Sequence, residues 1–394
     1  MAKCLVAQSE GPSVTVNAIL AGIVKANQLD HLYDKVLGGL NGIEGILSER
    51  FVDLTDMSEY ENKILCQTPA SALGSCRYKL TRTTKQEFDK LVKIMHKHDI
   101  EVLIYIGGND SMDTVAFLNE YVKEKQIDDL RFIGVPKTID NDLMYIDHCP
   151  GYPSSAKYIA TTALQTWLDF NVYTRKEVFI LETMGKDAGW LAASACLSNI
   201  VDLLVLPETV FDETLILAEI KKCLKEKNKC YVVISEGIKN VDGKLIADKK
   251  ISASNKLRNL IIDTNTASRC KVLELSSIQR CSVIQQSLVD MDESFNLGVC
   301  AYMYSNKAKY SGHMVTINRK NSDKYDVEYG IVDASLVVDK IKTFPREWIL
   351  DNYQGITKEA YDYILPLIDN NTNIIYENGI PAYIKPYYLN NKTN

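Results

Sequence analysis

The sequence predicts an α/β protein whose sheets are mainly parallel and covered by helices on both faces. Two observations support this class. Short apolar runs rich in β-branched residues recur along the chain, and they alternate with segments whose apolar residues repeat at helical spacing. Such alternation implies crossover connections, which join parallel strands and leave helices on both faces of the sheet.

The length and composition are those of an ordinary folded protein. The 394 residues correspond to two or three domains of roughly 150 residues each. Hydrophobic residues make up 46% of the chain and charged residues 24%, which excludes disorder and coiled coil. The net charge of -6 gives no general attraction for nucleic acid or an anionic membrane, so we expect neither as a partner. An anionic ligand must be held by local groups.

The predicted elements follow one another in this alternating order. The first are a strand at residues 3–7 and a helix at 17–26. The next pair is a strand at 102–106, with the apolar sequence VLIYI, and a helix at 111–123. Further short apolar runs predict strands at residues 132–135, 178–181, 203–206, 231–234 and 272–275.

The cysteines and the N-terminal segment indicate a reducing compartment. The ten cysteines stand singly, without a Cys-x-x-Cys pair or clustered histidines, so we expect buried reduced thiols. His148 has no metal partner at ligand spacing and is expected to be structural. The opening MAKCLVAQSEG lacks the apolar core of a signal peptide, and no apolar run approaches the roughly 20 residues that cross a bilayer. We therefore expect a cytoplasmic protein.

Glycines and polar residues follow four of the predicted strands directly. The segments are GGNDS (107–111), PKTIDND (136–142), MGK (184–186) and SEG (235–237). In open α/β sheets, ligands bind outside the carboxyl ends of the strands. The four segments therefore predict a binding site at this edge of the sheets.

The turn at residues 107–111 is suited to a phosphate group. Its two glycines let backbone N–H groups approach a ligand closely, and the following helix presents its positive N-terminal end. Tight packing with an N-cap from Ser111 or Asp110 would need the same residues. The segment by itself leaves both interpretations open.

Asp140 and Asp142 predict acid–base chemistry in the loop after the strand at 132–135. One carboxylate can accept a proton while the other helps to hold a divalent cation. Lys137 beside them can place a point charge on a phosphate oxygen. Together with a phosphate-binding turn, these groups indicate phosphoryl transfer. An Asx-turn network with a solvated lysine is the alternative.

Nine collinear segments of the sequence resemble the phosphofructokinase family, and within it the short bacterial pyrophosphate-dependent 6-phosphofructokinases. Together they extend over nearly the whole chain, and packing needs alone do not produce nine such motifs at compatible spacing. The segments are LNGIEGILSERFVDL (40–54), ALGSCRYKL (72–80), YIGGNDSMDT (105–114), PKTIDND (136–142), DHCPGY (147–152), MGKDAGWLAA (184–193), SEG (235–237), IQRC (278–281) and FPREWI (344–349).

The resemblance implies the phosphofructokinase fold, with two Rossmann-like three-layer α/β domains and an active site in the cleft between them. Residues 1–142 and about 279–330 would form the phosphoryl-donor-binding domain. Residues 143–278 and about 331–375 would form the sugar-phosphate-binding domain, followed by a C-terminal tail at 376–394. The family also implies a homodimer or homotetramer with shared sites.

The activity that the resemblance implies is reversible phosphoryl transfer from pyrophosphate to the 1-hydroxyl of D-fructose 6-phosphate. This step of glycolysis gives fructose 1,6-bisphosphate and requires Mg²⁺. The family's residue roles are carried over motif by motif to the matching positions of this sequence. The catalytic residues would be Asp140, Asp110 and Lys137, and the metal ligands Asn109 and Asp142. The donor site would comprise Glu10, Gly11, Arg77, Gly108 and Ser111, and the sugar-phosphate site Thr138, Ile139, Asp140, Met184, Gly185, Lys186, Glu236, Ser277, Arg280, Arg175 and Lys271.

Two positions favour pyrophosphate over ATP as the donor. ATP-using members resemble this chain but carry glycine where it has Asp110 and Lys137. A side chain at 110 fills the space of a nucleotide α-phosphate and brings a like charge, whereas Lys137 supplies a cation for pyrophosphate. The resemblance also implies that Lys271 or Arg269 reaches the site of a neighbouring subunit.

Several positions depart from the family pattern. Glu10 stands at a phosphate-binding glycine, Asn109 at a magnesium-binding aspartate and Lys186 at an arginine, and residues 248–256 lack a usual Phe-Gly-His segment. We expect Glu10 to face the donor site and repel the donor; pairing with a lysine or helping to hold Mg²⁺ are the alternatives. A catalytically impaired or regulatory paralogue, or an ATP-dependent 6-phosphofructokinase, therefore remains an alternative function.

Overall fold

Two β-sheets of mainly parallel strands organise the chain in the computed structural model, which describes residues 2–322 and 324–389. A short hairpin near the C-terminus forms a separate two-stranded sheet. The strands are β1 (Lys3–Gln8), β2 (Lys35–Gly39), β3 (Phe51–Asp53), β4 (Ile100–Gly107), β5 (Arg131–Pro136), β6 (Glu177–Thr183), β7 (Leu203–Val205), β8 (Lys229–Ser235), β9 (Cys270–Glu274), β10 (His313–Arg319), β11 (Val327–Asp333), β12 (Tyr376–Glu377) and β13 (Ile380–Pro381).

The α-helices connect these strands and cover both sheets. None of the helices in the described ranges is long and apolar enough to span a bilayer. The helices are α1 (Val16–Asp30), α2 (Gly42–Ile46), α3 (Glu59–Gln67), α4 (Lys85–Lys97), α5 (Asn109–Glu124), α6 (Tyr152–Phe170), α7 (Trp190–Ser194), α8 (Glu213–Lys227), α9 (Ala253–Asp263), α10 (Leu288–Ser305) and α11 (Lys358–Ile364).

The sheet topology confirms the predicted α/β class. The larger sheet has the order β11-β10-β5-β4-β1-β2-β3, and its five central strands run parallel while β11 and β3 pair antiparallel at the edges. The smaller sheet has the order β7-β8-β6-β9 and is parallel throughout. Two separate sheets with helical connections are the arrangement that the family resemblance implies.

Burial on both faces explains why the strands have continuously apolar sequences. Successive side chains of a strand point to opposite faces of the sheet. In β1, Cys4 and Val6 pack into a core with α1 and α10, whereas Leu5 and Ala7 pack into a second core with α4 and α5. Strand β6 divides its side chains between two further cores in the same way. The apolar run at residues 3–7 is therefore explained by helices on both faces.

The strands and helices predicted from periodicity are all present, and the structure adds others, among them the long helices α6 and α10. Strands β10 and β11 were not predicted because polar side chains interrupt their apolar residues, as in HMVTINR. They depend on antiparallel pairing with each other, from His313 opposite Asp333 to Arg319 opposite Val327. All ten cysteines are free thiols, as expected.

Residues 376–389, which sequence analysis assigns to the tail, fold against the domain that contains β1. Gln67 donates its side-chain amide to the carbonyls of Ile375 at 2.9 Å and Ala382 at 2.7 Å. The backbone N–H of Tyr387 donates to the carbonyl of Ala72 at 2.9 Å. Residues 390–394 of the predicted tail lie outside the described residues.

A buried charge network around His148 connects the loop after β5 to α10. The two ring nitrogens of His148 lie 2.8 Å from Asp147 Oδ2 and 2.6 Å from Glu293 Oε2. Arg319 pairs with Asp147, and the Tyr325 hydroxyl donates to Glu293 at 2.6 Å. Burial opposes the charged imidazolium, but Glu293 and Asp147 outweigh it and raise the pKa of His148 to about 9. The histidine is structural, as its surroundings in the sequence predict.

The raised pKa of His148 predicts a pH-dependent stability. A histidine that titrates near 6.5 when unfolded and near 9 when folded stabilises fully below pH 6.5, and the contribution is lost as the pH rises through 9. The loss should be about 3 kcal/mol, since one pKa unit corresponds to about 1.4 kcal/mol. Urea unfolding between pH 6 and 9.5 measures it. His148→Gln should flatten this slope, whereas the exposed His31→Gln should keep it; equal slopes in the two variants would contradict the assignment.

Candidate active site

The carboxyl ends of three central strands bring together three of the segments predicted to bind ligand. Strands β1, β4 and β5 run parallel and in register, so the segments that follow them leave the sheet at one edge. The backbone N–H of Ser9 donates to the carbonyl of Ile106, and that of Lys137 to the carbonyl of Gly107, both at 2.8 Å. These bonds continue the pairing beyond the strands and hold the segments side by side.

Two cavities lie at this edge of the larger sheet and meet at Glu10 and Gly11. The larger has a volume of about 320 Å³ and the smaller about 110 Å³. The smaller one also contacts residues that follow β6 and β9, so it lies in the cleft between the two sheets. The larger cavity is lined by Ser9, Glu10, Gly11, Cys76, Arg77, Tyr78, Tyr105, Asp110, Ser111 and Thr114. The smaller is lined by Glu10, Gly11, Pro12, Lys137, Thr138, Ile139, Asp140, Met184 and Arg280.

Glu10 caps the N-terminus of α5 with its side chain. Its Oε1 accepts hydrogen bonds from the backbone N–H of Ser111 at 2.7 Å and from the Ser111 hydroxyl at 2.9 Å. A Cβ on Gly108 would lie 2.1 Å from Glu10 Oε2, so the carboxylate packs directly against this glycine and would have to shift to admit a side chain. The Glu10 carboxylate thus occupies the turn where sequence analysis places a phosphate, and its hydrogen bonds are to neither a lysine nor a metal ligand.

Lys137 is a buried cation beside this cap. Its side chain is 1% exposed, and its Nζ donates to the carbonyl of Gly11. Burial lowers the pKa of Lys137, while the negative charges of Glu10 and Asp140 act in the opposite direction. The alternative of a solvated lysine is therefore wrong.

Asp140, Asp142 and Asn109 form a buried group of oxygen atoms at the bottom of the cleft. Burial, followed by the charges of Asp142 and Glu236, raises the pKa of Asp140 to about 7. Asn109 donates its amide N–H to Asp142 Oδ2 at 2.9 Å. One oxygen of each of the three side chains is buried with no hydrogen-bond partner in the described ranges. Unpaired buried oxygens of this kind are the donors that Mg²⁺ prefers.

The loop between Lys137 and Asp142 is anchored to both halves of the molecule. The Thr138 hydroxyl accepts from the backbone N–H of Asp140 at 3.1 Å, which turns the chain at the strand end. Ile139 packs with Tyr152 in the core that belongs to the smaller sheet. The same loop therefore carries Lys137 on the side of the larger sheet and reaches the smaller sheet two residues later.

The smaller sheet contributes Met184, Gly185 and Glu236 to the cleft. Gly185 has a φ of +115°, and a Cβ there would lie 2.6 Å from the carbonyl oxygen of Ala188, so the turn requires glycine. Burial raises the pKa of the Glu236 carboxyl, against a backbone N–H of Gly185 and the positive charges of Lys186 and Arg280. From the segment after β9, Arg280 reaches back toward Gly11, its Nη1 3.3 Å from where a Cβ on that glycine would stand.

The structure does not bring Arg175 and Lys271 into this cleft. Arg175 precedes β6 and Met184 follows it, so a strand length of roughly 20 Å separates them. Arg175 donates to Glu177, and Lys271 lies at the amino end of β9 beside Asp169. Strand direction puts both at the opposite edge, so the prediction that Arg175 binds the sugar phosphate is wrong for the cleft of the same chain, whereas the expectation that Lys271 reaches a neighbouring subunit's site stays a prediction.

Lys186 and Ser277 lie at the correct edge of the smaller sheet, but both are exposed. Lys186 directly follows the Gly185 turn, and Ser277 lies in the short 3₁₀ helix Ser276–Arg280 after β9. Neither contributes to the lining of the two cavities. The side chain that the sequence reasoning missed here is Gln279, which is buried and accepts from the backbone N–H of Met184 at 3.2 Å.

Asp110 is held by a lysine that sequence reasoning missed. Lys79 Nζ lies 2.6 Å from Asp110 Oδ1 and 3.3 Å from the buried Asp113 Oδ2. Arg77, two residues earlier, is exposed and lines the larger cavity. Lys79 belongs to the same family-like segment, ALGSCRYKL, as Arg77. Its position two residues after Arg77 could have indicated that it lies near the donor site. Asp110 lines the larger cavity, whereas Asp140 lines the smaller one.

Lys342 holds the loop after β5 in place from a position about 200 residues away in sequence. Its Nζ donates to Asn141 Oδ1 at 3.2 Å, to the carbonyl of Ile146 at 3.1 Å and to that of Asp147 at 2.9 Å. Its backbone N–H donates to the carbonyl of Asp142 at 2.7 Å. No local pattern marks this lysine, because its role arises only when the segment before α11 packs onto the loop.

The chain is similar to known phosphofructokinases over nearly its whole length. The family model described as phosphofructokinase matches residues 3–302. A pyrophosphate–fructose 6-phosphate 1-phosphotransferase of Halomonas elongata is 32% identical over 398 residues, which covers 96% of this chain and 94% of that protein. A solved pyrophosphate-dependent phosphofructokinase of Nitrosospira multiformis matches with a TM-score of 0.89 at 31% identity and covers 97% and 96% of the two chains. The structure from Marinobacter aquaeolei has the same score and identity and covers 97% and 95%.

Lys342→Met should lower the free energy of unfolding by about 2–4 kcal/mol, because three acceptors in the loop lose their common donor. Urea unfolding followed by tryptophan fluorescence measures the change. Lys340→Met serves as the control, since Lys340 is exposed, and should cost less than about 0.5 kcal/mol. Equal losses in the two variants would show that Lys342 does not support the loop.

Proposed function

The chain belongs to the phosphofructokinase family, and on this premise we propose that it transfers a phosphoryl group from pyrophosphate to the 1-hydroxyl of fructose 6-phosphate. The observation that carries the proposal is the pair of cavities that meet at Glu10 and Gly11, with Asp140 lining the inner one. One cavity then takes the donor and the other the reacting end of the sugar. The named relatives, similar over nearly their whole length, support this assignment.

The larger cavity suits a short donor. A nucleotide extending outward would bring its α-phosphate against the Asp110 carboxylate, which is 54% exposed and held in place by Lys79. Pyrophosphate ends before that point, and Lys137 and Arg280 lie at the inner end to receive its negative charge. Position 110 and Lys137 therefore favour pyrophosphate over ATP.

Asp140 is the group assigned to accept the proton of the sugar hydroxyl. As the hydroxyl oxygen bonds to the transferred phosphorus, the bond from phosphorus to the leaving phosphate breaks and the proton passes to the carboxylate. A base works best when its pKa lies near the working pH, and that of Asp140 is about 7. Pyrophosphate and the phosphorylated sugar are close in energy as phosphoryl donors, so we propose a reversible reaction in glycolysis.

Asn109 and Asp142 are the residues proposed to hold Mg²⁺. Their unpaired buried oxygens fit that ion, and the remaining ligands would be water and donor oxygens. A bound Mg²⁺ would neutralise charge on the transferred group. In its absence, the Asn109–Asp142 hydrogen bond keeps the two side chains aligned.

A second subunit would supply the cations that the cleft lacks. Arg175 and Lys271 project from the edge opposite the active site, where they can serve a neighbour's sugar phosphate. Exposed Leu168 and Val172, with 58% and 69% of their surface accessible, lie near Arg175 in sequence and suit an apolar contact between copies. We therefore propose a homodimer or homotetramer that works in the cytoplasm.

A regulatory paralogue with impaired catalysis is the second candidate function. Its specific support is the Glu10 carboxylate in the phosphate-binding turn, together with an exposed segment at 248–251 in place of the family's usual motif. An assay that couples fructose 1,6-bisphosphate formation to NADH oxidation, run with pyrophosphate and then with ATP, separates the two. Turnover with pyrophosphate supports the enzyme, and sugar-phosphate binding without turnover supports the paralogue.

Asp140→Asn should lower kcat by on the order of 10² to 10⁴, because the amide keeps the shape but cannot accept the proton. The KM for fructose 6-phosphate should change little. The control is Asp128→Asn, at an exposed aspartate beyond the end of α5, which should retain parental kinetics. A parental kcat in Asp140→Asn would remove Asp140 from the role of base.

The parent should turn over pyrophosphate and use ATP poorly. The double change Asp110→Gly with Lys137→Gly should lower the rate with pyrophosphate and admit ATP, because it removes both the obstructing carboxylate and the inner cation. Steady-state rates with each donor measure this. The matched double change Asp128→Gly with Lys125→Gly alters the same residue types at exposed positions and should leave donor choice unchanged. Equal parental rates with both donors would contradict the assignment.

A further inference from the structure

We propose that the carboxylate of Glu10 is a built-in competitor for the donor, which must displace it from the turn at the N-terminus of α5. This inference rests on the proposed function in one respect, namely that the cavity lined by Glu10 receives a phosphate-bearing donor. It adds that the anion-binding groups there are already occupied by an internal anion. Donor affinity is then set by the exchange of one anion for another.

The contacts of Glu10 are those expected of a bound phosphate oxygen. A single carboxylate oxygen accepts from both the backbone N–H and the hydroxyl of Ser111, at 2.7 and 2.9 Å. The second oxygen lies against Gly108, 2.1 Å from where a Cβ on that glycine would stand, so the carboxylate fills the space over this residue. Backbone N–H groups at a helix N-terminus are an anion-binding arrangement, and here the carboxylate fills it.

The backbone of Glu10 holds the carboxylate in this position. Its φ of +64° lies in the left-handed region that favours glycine, which is the residue that the family resemblance implies at this position. The N–H of Glu10 donates to the carbonyl of Cys76, and its own carbonyl accepts from the Ser75 hydroxyl at 2.6 Å. These two bonds fix the chain on both sides, and the side chain is directed into the turn.

A second observation indicates that the turn receives an external anion. Lys137 is fully buried beside the cap, yet its Nζ donates to the neutral carbonyl of Gly11. A buried ammonium is unfavourable without a negative partner nearby. Glu10 supplies part of that negative charge within the chain, and a donor phosphate would supply more. The negative charge of Glu10 therefore offsets the positive charge of Lys137 until a donor binds.

A purely structural cap would have the same contacts, and the chain offers a matched comparison. Glu182 accepts from the backbone N–H of Ser254 at 2.6 Å at the start of α9, and it lines neither cavity. Removal of either carboxylate should lower stability, because each satisfies a helix N-terminus. Only removal of Glu10 should also change the affinity for an anion.

The experiment measures anion binding and stability together. Isothermal titration with magnesium pyrophosphate, without sugar phosphate, gives Kd for the parent, Glu10→Gly, Glu10→Gln and Glu182→Gln. Glu10→Gly should bind at least tenfold more tightly than the parent, and Glu10→Gln should lie between them because it keeps an acceptor without the charge. Glu182→Gln should bind like the parent. The urea midpoint should fall in all three variants, and if Glu10→Gly does not fold, the comparison rests on Glu10→Gln.

Inorganic phosphate as a second probe separates this inference from the proposed function. If no variant turns over pyrophosphate but Glu10→Gly gains phosphate affinity, the donor assignment fails while the internal competitor stands. Unchanged affinity of Glu10→Gly and Glu10→Gln for both anions, with lowered stability, would make Glu10 a structural cap and overturn the inference. If Glu10→Gly binds pyrophosphate more weakly than the parent, and the difference depends on Mg²⁺, the inference is also overturned, because Glu10 then helps to hold the metal.

Discussion

The loop from Lys137 to Asp142 is the connection on which the rest of the site depends. It leaves β5 at the edge of the larger sheet, inserts Ile139 into the core of the smaller one and returns to carry Asp142 beside Asn109. Lys342 donates to the segments on its far side, so the loop is held from both domains. The loop therefore fixes the relative positions of Lys137, Asp140 and Asp142 in the cleft between the sheets.

The site concentrates charges that water no longer solvates. Asp140, Asp142, Glu10 and Lys137 lie together in a space where burial raises the pKa of Asp140 and lowers that of Lys137. Such burial is unfavourable for the stability of the protein. In the proposed function it holds the pKa of the base, Asp140, near the working pH and places the cation, Lys137, where a phosphate can bind. Elsewhere in the described chain, buried carboxylates pair with backbone N–H groups or with cations, as Glu293 does with His148. Unpaired buried oxygens within the described residues include those of the cleft, where a ligand could satisfy them.

Glu10 shows how a substitution can keep a backbone while changing the ligand that the backbone serves. Glu10 has the left-handed backbone that favours glycine, and the hydrogen bonds from Ser111 that an anion would receive go to its side chain. The other residues that line the larger cavity fit the short anionic donor proposed above. In the proposed function, Glu10 therefore both caps α5 and competes with the donor.

The sequence by itself determined the α/β class, the family, and the local segments that form the cleft. These follow from short-range causes: apolar periodicity sets strands and helices, and strand ends carry the glycines and carboxylates in turn motifs. Motif matching also identified Arg175 and Lys271 but could not tell that strand direction carries them to the opposite edge. Only the tertiary structure decided the contacts of Lys342, Lys79 and Gln279, and the capping role of Glu10. Those contacts join segments tens to hundreds of residues apart, and side-chain pairing over such distances leaves no periodic signal in the chain.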